Sequence, residues 1–250
     1  MKRKWEKIIA MVVIAVSVAT GANAGDMLAQ WNFNGVGGGL AEYGPDLLNP
    51  VYEAGGVIVD GLNRGGGVKT DHGISLANVW GGVEFTESTW QDALIANKYF
   101  SLVLEAEAGA TMSLTGFESV LRSTAYGPTE AVWLASYNGD FSGSFMVGDV
   151  FALQNGANPY SFDFGTMGMG MDFNDITYIE FRLVVWGAPD PNGQNGAFQF
   201  GNGGRNVGAA NANTFTVYGT TVIPEPSTAL LALSGVALLA FRRKRRRSAP

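Results

Sequence analysis

The chain contains no cysteine, a single histidine and little charge, with Asp, Glu, Lys and Arg making up 15% of its 250 residues. Without cysteine there are no disulfides, no thiol catalysis, and no zinc–thiolate or iron–sulfur sites. One histidine, His72, rules out a multi-histidine metal site. No G-x-S-x-G elbow occurs, which excludes that route to a serine hydrolase. Basic residues are scarce in the body: residues 25–223 hold six cations against 20 anions, a net charge of −14. A body this acidic repels phosphate backbones, so nucleic acid is excluded as a partner. Long helical patterns are also missing outside the termini. What is abundant is glycine, 35 residues, about twice the usual ~7%, with 12% aromatics. This is the composition of a loop-rich all-β protein, and the roughly 200 residues between the termini suffice for one sizeable core.

Both ends read as addresses. Met1–Lys7 is a basic n-region with a net charge of +3, Ile8–Val18 is a short apolar h-region, and Ala22-Asn23-Ala24 is an A-x-A cleavage site. Residues 1–24 are therefore expected to be a signal peptide, cut by signal peptidase between Ala24 and Gly25. At the other end, Pro224-Glu225-Pro226-Ser227 precedes Thr228–Phe241, an apolar stretch of 14 residues. That is short of the ~20 that span a bilayer comfortably. Arg242, Arg243, Lys244, Arg245, Arg246 and Arg247 follow as a stop-transfer block that holds this end in the cytoplasm. The acidic body then lies outside the cytoplasm. A short anchor closed by cations suits a transient membrane substrate better than a permanent span.

Val222-Ile223-Pro224-Glu225-Pro226-Ser227, the short apolar helix and the Arg-rich end together resemble the PEP-CTERM sorting signal, over residues 222–247. The resemblance implies recognition by an exosortase, a membrane-embedded cysteine transpeptidase-like enzyme. It implies removal of the tail and delivery to the cell surface or an exopolysaccharide matrix. By that analogy Pro224, Glu225 and Pro226 are the recognition motif. Prolines keep such a segment extended and off the following helix, as a protease subsite requires.

The body, residues 25–221, reads as one domain, since no repeat and no charged or Pro/Ser-rich linker divides it. Period-two alternation marks strands at Leu28–Phe33, Tyr99–Glu107, Thr111–Thr115, Ala131–Tyr137, Ile176–Trp186 and Thr214–Tyr218. Phe100, Leu102, Leu104 and Ala106 share one face, as do Ile179, Phe181, Leu183 and Val185. Met112, Leu114, Phe215 and Val217 are expected to point inward. Within Ala131–Tyr137 either Trp133, Ala135 and Tyr137 or Val132, Leu134 and Ser136 is the buried set. One short helix is expected at Thr89–Ala96, capped by Ser88. Short strands and Gly-rich turns predict a two-sheet antiparallel sandwich, jelly-roll-like, flanked by an N-terminal signal helix and a C-terminal hydrophobic helix. The body also resembles, more loosely, jelly-roll carbohydrate-binding modules and the β-sandwich ectodomains of other PEP-CTERM proteins.

Chemistry in the body is sparse, and no catalytic residue is assigned. Glu84/Glu87, Glu105/Glu107 and Asp172/Asp175 are the carboxylate pairs a glycosidase could use, and they read as solvated surface. Asp190–Gly196 resembles a calcium loop in composition, but Gln194 and Asn195 break its pattern, so it reads as a polar hairpin with Ca²⁺ as the minority reading. Met167–Met171 reads as an apolar turn rather than a soft-metal site. No metal site or cofactor is expected. Among aromatics, Trp133, Tyr137 and Trp186 are the candidates for stacking on a sugar ring, against a background of ordinary core packing. Three readings follow: a non-catalytic surface or matrix protein, a carbohydrate-binding module, and a polysaccharide hydrolase or lyase. A row of exposed aromatics in a groove would favour binding; two carboxylates facing across a cleft would favour the enzyme.

Overall fold

The structure is a computed structural model and describes residues 25–36, 44–70, 78–166, 172–189, 196–202 and 213–223. Its elements in chain order are β1 (Asp26–Asn32), β2 (Leu47–Leu48), β3 (Tyr52–Glu53), β4 (Val57–Val59), β5 (Leu62–Arg64), β6 (Trp80–Val83), α1 (Trp90–Ile95), β7 (Tyr99–Ala106), β8 (Thr111–Ser123), β9 (Glu130–Ser136), β10 (Phe145–Ala152), β11 (Gly156–Asp163), β12 (Tyr178–Trp186), β13 (Ala197–Phe200) and β14 (Thr214–Val222). They form two sheets whose ladders are all antiparallel.

The first sheet is built on β8. One edge of β8 pairs with β14 and then, further along, with β13; the other edge pairs with β11. β1 and β3 extend the sheet beyond β14, and β6 extends it beyond β13. The second sheet runs β10, β9, β12, β7, with β4 and β5 along the free edge of β7 and β2 beyond β5. The chain changes sheet between β7 and β8, β8 and β9, β10 and β11, β11 and β12, and β12 and β13, which gives the jelly-roll-like sandwich.

Alternation placed the core faces of the regular strands correctly. Phe100, Leu102 and Leu104 on β7, and Ile179, Phe181, Leu183 and Val185 on β12, are buried, and they meet Met112, Leu114, Phe215 and Val217 from the opposite sheet. Phe117 on β8 is the aromatic hub: its ring centroid lies 4.7 Å from Phe181, 5.0 Å from Trp133 and 5.5 Å from Phe215. Such edge-on contacts add to the area each ring removes from water.

Four features differ from the sequence expectation, each for a physical reason. A bulge between Met27 and Ala29 puts both Leu28 and Ala29 inside, so β1 does not keep strict alternation. Strand β6 was not legible because it contains Gly81 and Gly82. A Cβ on Gly81 would sit 2.1 Å from the Phe198 carbonyl oxygen, and one on Gly82 2.3 Å from Val68 Cγ1, so close backbone packing excludes β-formers there. The helix is capped by Thr89, not Ser88: Thr89 Oγ1 accepts from the Asp92 N–H at 3.1 Å. Finally, α1 packs on the outside of β12 and β9, so Val184, Trp186, Val132 and Leu134 are buried on the face away from the main core.

Candidate functional site

Strand β14 lies between β1 and β8, and this pairing decides where the chain ends emerge. Asp26 opposes Gly219, and Val222 opposes Thr111. Gly25, the expected mature start, therefore lies beside Tyr218, at the end of the sandwich from which the tail departs. A Cβ on Gly25 would lie 2.7 Å from Tyr218 Cβ, so the first residue of the domain is pressed against the last strand.

On the outer face at this end is a groove of about 430 Å³, lined by Thr115, Glu118, Ser161, Asp163 and Tyr218, with Gly25 at its rim. Register explains the lining. Ser161 on β11 is opposite Glu118 on β8, and Asp163 is opposite Gly116. Gly116 has no side chain, and none would fit, since a Cβ would sit 2.2 Å from the Phe162 carbonyl oxygen. Its bareness leaves the groove open between Tyr218 and Asp163. The Tyr218 hydroxyl donates to Glu118 Oε2 at 3.0 Å. Partial burial, then the hydrogen bond to Glu118 and its charge, raise the phenol above its usual pKa. Next to Glu118 stands Thr216, whose hydroxyl accepts from Gln30 Nε2 at 3.2 Å. The groove thus offers an amphipathic ring, a carboxylate, a second carboxylate and hydroxyls, all set by strand register.

The aromatics picked from sequence are placed differently. Trp133 is 1% exposed and stacks 5.9 Å from Phe215 in the core; Trp186 is 3% exposed in the cluster under α1. Neither has a free ring face, so the expected sugar contact at these two is corrected to core packing. Tyr137 is 38% exposed, but its ring lies 5.3 Å from Phe145 and its hydroxyl donates to the Asp172 carbonyl oxygen at 2.8 Å. It pins the turn after β9 to the chain before β12. The structure does not bring these three residues together.

Of the six carboxylates in the candidate pairs, Glu84, Asp172 and Asp175 have local partners, while Glu87 Oε2 is buried without a hydrogen-bond partner. Glu84 lies 3.2 Å from Lys69 and 4.0 Å from the buried Lys98. Asp172 Oδ1 accepts from the Asn174 N–H, and Asp175 Oδ1 accepts from the Thr111 hydroxyl. Glu105 faces outward on β7, while Glu107 belongs to the turn whose carbonyl accepts from Ala110. Among the described residues no group of three His, Cys, Asp or Glu side chains is placed to hold a metal ion. Ala22, Ala24, Pro224, Glu225, Pro226, the Arg242–Arg247 block, His72, Met167–Met171 and most of Asp190–Gly196 lie outside the described residues. Among the described residues no helix is long and apolar enough to cross a membrane. Sequence reasoning missed the groove because β11 was not read as a strand, although Tyr160 and Phe162 alternate with Ser161 and Asp163 there. Tyr218 was legible only as the outward neighbour of Val217.

The family model of the PEP-CTERM protein-sorting motif matches residues 222–247. The chain therefore carries the motif that marks exported proteins processed by an exosortase and delivered to the cell surface or matrix. A search of curated proteins finds no match. Among solved structures, a mutant of a family 29 carbohydrate binding module is 12% identical over 69% of this chain and 88% of its own, with a TM-score of 0.30. A non-crystalline cellulose specific carbohydrate-binding module is 11% identical over 73% of this chain and 94% of its own, with a TM-score of 0.31. An F5/8 type C domain from Bacteroides fragilis is 12% identical over 48% of this chain and 64% of its own, with a TM-score of 0.24. Scores at this level say nothing of what this chain binds.

The raised Tyr218 phenol has a consequence for stability. Its folded value lies above the ordinary value of 10.0, so its contribution is fully present below that pH and is lost as pH rises through the folded value. Tyr218→Phe is expected to remove a late component from the phenolate absorbance titration and to flatten the alkaline fall in stability. A difference titration with an ordinary midpoint would contradict this.

Proposed function

We propose that this is a non-catalytic surface or matrix protein, made as a membrane-held precursor and released to its site of action by removal of the sorting tail. The observation that carries the reading is the coincidence of two boundaries: β14 ends at Val222, and the sorting motif begins at residue 222. Cutting within or after Pro224–Pro226 leaves every strand of the sandwich in the product. Among the described residues no cluster of metal-ligating side chains accompanies the groove, and its carboxylates, Glu118 and Asp163, are taken as ligand-binding groups rather than as a catalytic pair. Signal peptidase and an exosortase are the processing partners in this account. Intact mass of the protein from its native host is expected to show a species beginning at Gly25 and ending near Pro224–Ser227. A membrane species that retains Arg242–Arg247 would overturn the reading and make the protein a tail-anchored ectodomain.

The second reading is polysaccharide binding, and the groove favours it over a purely structural role. The Tyr218 ring supplies an apolar face for a sugar, while Glu118, Ser161 and Asp163 are polar groups that can meet its hydroxyls. Glycan-array or affinity-gel binding by the folded protein is expected to fall at least about tenfold in Tyr218→Ala, the loss of roughly 1.4 kcal/mol or more of binding. Equal retention by wild type and Tyr218→Ala would remove the groove from the account.

A further inference from the structure

We propose that, before processing, the tail-bearing end of the sandwich rests on the bilayer surface through an apolar patch formed by Tyr52, Val222 and Ile223. This rests on the reading of Thr228–Phe241 as a membrane segment. These three side chains are 42%, 58% and 55% exposed. Tyr52 and Val222 both line a second groove, of about 560 Å³, together with Met27, Leu28 and Ala54.

The patch is held in shape by the fold. The Thr221 hydroxyl donates to the Gly55 carbonyl oxygen at 3.1 Å, which ties the end of β14 to the turn between β3 and β4. Ile223 lies over Gly56, where a Cβ would come within 2.8 Å of Ile223 Cγ1. Tyr52 and Ile223 are therefore parts of one rigid end rather than independent loops.

The length of chain beyond the patch identifies its occupant. From Ile223 to Thr228 there are five residue steps, which reach at most about 18 Å when fully extended. A membrane segment starting at Thr228 thus holds this end of the domain against the lipid headgroups. A tyrosine with an apolar body and a polar tip suits that layer. The charges select the lipid. Asp26, Glu53, Glu107, Asp172 and Asp175 lie on the loops and strand ends here, and the described residues of these segments include no Lys or Arg. The surface that fits is a neutral, zwitterionic headgroup layer, since anionic lipid repels these carboxylates.

The absence of cysteine makes the test clean, because an introduced cysteine is the only thiol. The full chain is reconstituted in phosphatidylcholine vesicles and spin-labelled in separate samples at Tyr52→Cys, Val222→Cys, Tyr126→Cys and Leu233→Cys. Tyr126 is 59% exposed in the turn after β8, at the opposite end of the sandwich. Relative collision with lipid-soluble oxygen, against a water-soluble nickel chelate, is expected to be several-fold higher at positions 52 and 222 than at 126. Position 233 reports the membrane segment. If 233 lies in lipid while 52 matches 126, the docking proposal is overturned and the sorting reading stands. If 233 itself lies in water, the sorting reading fails and the docking proposal falls with it.

Discussion

The structure depends on the pairing of β14 between β1 and β8. Strand β14 is hydrogen-bonded along one edge to the first strand and along the other to the longest strand of the sheet. Its Phe215 and Val217 enter the core, where Phe215 stacks on Trp31 at 5.3 Å and meets Trp133 from the other sheet. Without β14, β1 and β3 lose their only route to β8, and the aromatic cluster around Phe117 loses a wall. A contact between residues so far apart in sequence costs loop-closure entropy, and its reward comes only when the rest of the sandwich is formed. The last segment synthesised before the tail is thus the segment that closes the fold.

That constraint also organises function. Pairing β1 with β14 brings Gly25 and Ile223 to one end of the sandwich. Two grooves lie at this end, the first built by β8, β11 and β14 and the second by β1, β3 and β14. One, around Tyr218 and Glu118, carries two carboxylates; the other, beside Tyr52 and Val222, also holds Asp26 and Thr220 and lies at the tail exit.

Sequence alternation revealed the parts of the fold where burial is one-sided, as on β7, whose Phe100, Leu102 and Leu104 are buried while Ser101, Val103 and Glu105 are not. On β12 it found the inner face, Ile179, Phe181, Leu183 and Val185, although Val184 and Trp186 on the other face are buried too. β6 was not visible because Gly81 and Gly82 replace the alternating pattern with steric constraint, and β13 because all four of its residues are buried. β10 and β11 also went unread, although Tyr160 and Phe162 alternate with Ser161 and Asp163 in β11. Trp133 and Trp186 were ambiguous for a related reason. α1 covers the outer surface of β9 and β12, so both faces of those strands are buried and alternation cannot tell a core tryptophan from a displayed one. The C-terminal sorting motif was legible for a different reason. Charge, apolar length and small residues act there as linear signals that need no tertiary context, whereas the groove exists only through the register of three strands distant in sequence.

Equilibrium urea unfolding of chains that begin at Gly25 and end at Ser227, Ile223 or Asn213 tests the central claim most directly. The account predicts that the first two unfold cooperatively at the same midpoint, because the residues after Ile223 contribute nothing to the sandwich. It predicts that the chain ending at Asn213, which lacks β14, shows no cooperative transition. A chain ending at Ile223 that unfolds markedly earlier, or one ending at Asn213 that unfolds cooperatively at the same midpoint, would contradict it.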